Sequence, residues 1–75
     1  MNVGDRVIIK SRPYTNLTGR IKAITVYSLW DTVYTIKVDF PNLVPLGWKA
    51  EPNFREESLI FIGTTNNTNN VLINE

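Results

Sequence analysis

The chain has 75 residues, 43% of them hydrophobic, and eight Lys and Arg against seven Asp and Glu leave a formal net charge of +1. It contains no Cys and no His, which excludes disulfides, thiolate and imidazole catalysis, and zinc, haem or iron–sulfur centres built on those ligands. One small domain is expected, held by an ordinary apolar core, a partner, or both.

Gly4-Asp5 is a turn signal, and the β-branched run from Arg6 to Lys10 follows it as a first strand. Ser11 to Thr18, with Pro13 and Asn16, reads as an irregular loop. Gly19 opens a second strand, Arg20 to Tyr27. Arg20 and Lys22 point outward there and Ile21 and Ala23 inward, and then the phase changes so that Ile24 and Val26 are the apolar positions. A one-residue change of phase is what a β-bulge produces. Ser28-Leu29-Trp30-Asp31 reads as a hairpin connection. Thr32 to Phe40 has the strictest period-2 pattern, with Tyr34, Ile36, Val38 and Phe40 on the core face and Thr35, Lys37 and Asp39 on the other.

Pro41 ends that strand. The loop from Pro41 to Pro52 is apolar for a solvent loop, carrying Leu43, Val44, Leu46 and Trp48. Asn53-Phe54 fits a very short strand, and Arg55 to Leu59 a tight turn of 3₁₀-helix. Leu59 to Ile62 is the last core strand, closed by Gly63. Phe54 and Phe61 fall in core registers, as do Tyr34 and Phe40. Thr64 to Asn70 holds no apolar residue and reads as a polar tether before Val71-Leu72-Ile73. The expected organisation is a β-domain over 1–63 and an Asn/Thr-rich tail over 64–75. No stretch has a helical period, and none approaches the roughly 20 apolar residues that span a bilayer. The opening residues Met1 to Arg6 lack the charged-then-apolar pattern of a secretory signal, so a soluble, intracellular protein is expected. The nine Asn and two Ala match an AT-rich genome, as in a phage, an organelle or a low-GC bacterium.

The order of signals is Gly4 to Val7, a long loop, Gly19 to Ile24, a hairpin, Val38 to Phe40, and then Phe54, Leu59 and Ile62. This order resembles the small SH3-like barrels, including KOW-type domains, over residues 3–62. The resemblance implies an all-β, five-stranded, partly open barrel with a 3₁₀ turn before the last strand. Within that group the chain is similar to the stromal subunit IV of photosystem I, through Arg12-Pro13-Tyr14, Val38-Asp39-Phe40, Gly47 and Asn53-Phe54. That family's basic first strand and tyrosine-rich third-strand surroundings are absent here. The small chain of ferredoxin–thioredoxin reductase has the same general pattern. Such barrels dock on larger complexes and do no chemistry themselves, and that is what the resemblance implies.

Three serines and seven acids remain as chemical groups, none in a nucleophile or metal motif. Glu56-Glu57, before an apolar strand, reads as a solvated turn. The four glycines are too far apart to form a phosphate-cradling loop. No catalytic residue, metal ligand or cofactor is therefore expected. The loop aromatics Tyr14, Trp30 and Trp48, with Arg12, are the candidate anchors for a protein partner. Trp48 and its Leu, Val and Pro neighbours either cap the open end of the barrel or stand out as such an anchor. Arg6, Lys10, Arg20 and Lys22 form an alternative nucleic-acid surface, diluted by Lys37 and Asp39 on the next strand. A third reading is a homo-oligomer in which Val71-Leu72-Ile73 adds to a sheet edge.

Overall fold

The structure, a computed structural model, describes residues 1–64. It is all-β. The strands are β1 (Arg6–Ile9), β2 (Thr18–Ser28), β3 (Asp31–Val38), β4 (Asn53–Phe54) and β5 (Leu59–Gly63). They form one antiparallel sheet in the order β4-β3-β2-β1-β5. Short 3₁₀ turns lie at Pro41–Leu43 and Glu56–Ser58. Among the described residues β4 and β5 do not pair, so the sheet stays open. None of their helices is long and apolar enough to cross a membrane. The tail beyond Thr64, including Val71-Leu72-Ile73, lies outside the described residues.

The bulge expected in the second strand is present: the β2–β3 register shifts between Ile21 and Ala23. A second shift falls between Val26 and Ser28, just before Ser28 and Asp31 pair across Leu29-Trp30. The alternation in β3 holds, with Tyr34, Ile36 and Val38 buried. They meet Val7, Ile9, Ile21 and Leu59, and Tyr14 completes the buried set. Met1, Leu17, Ile24, Val44 and Phe54 pack around it, partly buried.

Two aromatic residues expected in the core lie outside it. Phe40 is 59% exposed because β3 ends at Val38 and the chain turns away into the Pro41 3₁₀ turn. Phe61 is 50% exposed because β5 is the last strand of the sheet. It sits opposite Val7, on the core face, with no strand beyond it among the described residues.

Gly19 marks a close approach within the sheet. It pairs with Val7 on one side and Val38 on the other. A Cβ at this position would lie 2.6 Å from the Lys37 carbonyl oxygen and 2.7 Å from Ile36 Cγ2. The backbones of β2 and β3 approach this closely only because no side chain intervenes. Gly19→Ala is therefore expected to lower the unfolding free energy by roughly 1–3 kcal/mol in urea denaturation. Gly63→Ala, whose Cβ would meet nothing within 4 Å, should change it by less than about 0.5 kcal/mol.

Candidate docking site

The first loop is compact. The Ile9 N–H donates to the Leu17 carbonyl at 2.9 Å, and the Asn16 N–H to the Ile9 carbonyl at 2.8 Å. Inside this closure the Tyr14 N–H donates to the Ser11 carbonyl, and the Leu17 N–H to that of Tyr14. Asn16 takes a left-handed φ of 71°, a conformation that Asn accepts more readily than most residues. The result turns Tyr14 inward, where it is only 3% exposed. Tyr14, expected as an exposed anchor, is thus a core residue. Its hydroxyl donates to the Lys49 carbonyl at 2.6 Å. Its ring meets Phe54 edge-on at 5.5 Å and Trp48 edge-on at 6.2 Å between centroids.

Trp48 is placed by a turn. The Trp48 N–H donates to the Pro45 carbonyl at 3.1 Å, and Gly47 has φ 91°. That is the pattern of a type II turn, which requires a positive φ at its third residue. The turn leaves Leu46 fully exposed and lays Trp48, 58% exposed, against the edge of Tyr14. A cleft of about 420 Å³ results, with Tyr14, Trp48, Pro52 and Phe54 among its walls and Arg12 and Lys49 at its margin. Neither cation forms a salt bridge among the described residues. Trp48 therefore packs on Tyr14 and still stands more than half exposed.

Trp30 lies elsewhere. It and Leu29 form the hairpin tip, 92% and 91% exposed. The cleft beside them is lined by Thr32, Tyr34, Arg55, Glu56 and Glu57, and Trp48 takes no part in it. The candidate anchors therefore divide into a cleft holding Arg12 and Trp48 over Tyr14, and a separate tip holding Trp30. Phe54 and Lys49 belong to the first of these. Sequence reasoning assigned Phe54 to the core and did not single out Lys49.

The basic residues are divided too. Arg6 donates to Asp39 at 2.8 Å, and the Thr18 hydroxyl donates to the same carboxylate oxygen. Lys22 donates to Glu51 at 2.7 Å. Lys10 and Arg20 are exposed and form no salt bridge among the described residues. Arg20 stands directly across from Arg6 on one side and Lys37 on the other. Lys37 therefore extends the basic face, while Asp39 neutralises one end of it. Among the described residues no group of three or more acids could hold a metal ion. No protein-family model, curated protein or solved structure matches this chain.

Tyr14→Phe removes the bond to the Lys49 carbonyl and should cost about 1 kcal/mol of stability in denaturant melts. Tyr14→Ala also empties the space under Trp48 and should cost about 3–5 kcal/mol. The hydrogen bond from Lys22 holds the Glu51 carboxyl below its ordinary value of 4.5. A depressed carboxyl favours the fold above its ordinary value, and that contribution fades as pH falls through the folded-state value. NMR titration of Glu51 should find a midpoint below 4.5, and Lys22→Ala should raise it.

Proposed function

We propose that this protein is a non-enzymatic interaction module with an SH3-like, partly open barrel, and that it docks a protein partner in the Tyr14–Trp48–Phe54 cleft. Strand order, the long first loop, the bulged β2 and the 3₁₀ turn before β5 support the barrel reading. The observation that carries the docking reading is one exposed Trp held edge-on by a buried, hydrogen-bonded Tyr. A fixed aromatic wall loses little freedom when a partner covers it, and such residues dominate binding energy at interfaces. Arg12 and Lys49 at the margin, free of salt bridges among the described residues, favour a partner segment that brings carboxylates. Catalysis has no part in this reading.

Trp48→Ala should remain folded by circular dichroism and lose at least tenfold in partner affinity, as hot-spot aromatics do. The measurement is a pull-down from the source organism, followed by titration of the captured protein. Arg12→Ala should weaken binding and flatten its salt dependence. Capture that survives Trp48→Ala but is lost with Trp30→Ala would move the docking site to the hairpin tip.

The Arg6–Arg20–Lys37 row supports a second reading, a KOW-like nucleic-acid-binding domain. Like charges directly opposite one another on a sheet repel, and a phosphate backbone laid across the strands would relieve that repulsion. This reading expects binding to RNA or DNA that falls steeply with salt. Fluorescence anisotropy showing no binding of either at about 50 mM salt would remove it.

A further inference from the structure

The two edges of the sheet are built differently. β4, at one edge, is two residues long, and short edge strands protect themselves from pairing. β5, at the other edge, is five residues long: Leu59, Ile60, Phe61, Ile62 and Gly63. It contains no charge and no proline, the usual devices that blunt an edge. It is also apolar on both faces. Leu59 and Phe61 sit opposite Ile9 and Val7 on the core face, and Ile60 opposite Ile8 on the other. Ile60, Phe61 and Ile62 are each about half exposed. Strands apolar on both faces belong in the middle of a sheet. β5 has the sequence of an inner strand and the position of an outer one.

We propose that the β5 edge pairs with β5 of a second copy of this chain, antiparallel, about a two-fold axis at Phe61. The strand is complementary to itself in that arrangement. Phe61 faces its own counterpart on the core side. Ile60 and Ile62 of one copy face Ile62 and Ile60 of the other on the outer side. Leu59 lies opposite Gly63, a large residue beside one with no side chain. With no charge in the strand, the pairing brings no like charges together. Isologous contact of this kind closes at two copies and joins the two open sheets into one. The surface involved does not overlap the cleft around Trp48, so this pairing stands or falls independently of the docking reading. Three half-exposed apolar side chains per copy fall short of the roughly 800 Å² per partner of a standard interface. The dimer is therefore a weak one, governed by protein concentration.

The experiment is mass measurement of the full chain by light scattering after gel filtration, from about 1 µM to about 1 mM, a span that covers weak association. The mass should rise from the monomer's 8.6 kDa towards twice that value. Hydrogen exchange at β5 should slow over the same range. Ile60→Lys with Ile62→Lys places charges on the outer face of the edge and should weaken association by about tenfold or more. Ile60→Thr with Ile62→Thr, which keeps β-propensity, serves if the lysine variant fails to fold, and should weaken association in the same direction. A wild-type chain that stays monomeric throughout overturns the proposal. So does a folded edge variant that associates like wild type. Association abolished by Leu72→Asp in the full chain but insensitive to the β5 substitutions would assign the contact to the tail, and would overturn the proposal as well.

Discussion

The hydrogen bond from the Tyr14 hydroxyl to the Lys49 carbonyl joins segments 35 residues apart and sets the relation between the two long loops. The end of the first loop is tied to the segment after β3 by the Asp39 N–H bond to the Thr18 carbonyl and the Thr18 hydroxyl bond to Asp39, and the Tyr14 bond ties its middle. With it, Tyr14 becomes a post around which Trp48 and Phe54 are arranged edge-on. Neutral hydrogen bonds contribute modestly to stability, but a buried polar group left unpaired is expensive. The hydroxyl therefore selects one arrangement of the loops over the many that would bury the ring equally well. Accessible aromatic surface in the cleft exists because a less accessible aromatic beneath it is fixed.

The same economy bears on how so short a chain, with no Cys to form a disulfide, builds a core. Its buried set is a few aliphatic residues from β1, β2, β3 and β5 together with Tyr14 and Tyr34. A small domain cannot bury all its apolar residues, and here much of the remainder falls into three regions. Val26, Tyr27, Leu29 and Trp30 lie in and before the hairpin tip, Phe40, Leu43, Leu46 and Trp48 in the second loop, and Ile60, Phe61 and Ile62 along one edge, with Val3 apart from them. Each region has a separate structural cause: a turn, a loop, or an unpaired strand. Concentrated apolar surface of this kind marks contact with other molecules more often than solvent.

Much of the fold was legible in the sequence because its determinants are local. The alternation in β3, the change of phase in β2, the hairpin at Ser28–Asp31 and the 3₁₀ turn before β5 each follow from a few consecutive residues. The site was less legible because its determinants are not local. Nothing between Ser11 and Thr18 reveals that Tyr14 will find a carbonyl at Lys49. Phe61 has a core pattern, and only the strand order shows that β5 is an edge among the described residues. Trp30 and Trp48 read alike as loop aromatics, although a tight turn and the Tyr14 post put them to different uses. Lys37, read as diluting the basic face, stands next to Arg20 once the register is known. Pairing between strands turned a list of charges into a row.

The pairing of β1 with β5 has a mechanical consequence. The two strands are antiparallel, and Arg6 at the start of one lies opposite Gly63 at the end of the other. A pull applied through these two residues therefore acts along the hydrogen bonds between the strands, not across them. The bonds are loaded one after another, as in a zip, instead of sharing the force. The sheet would peel open from that corner at low tension and free β5 first, with β2 and β3 still paired. An assembly that gripped this sheet at Arg6 and Gly63 would meet a compliant element.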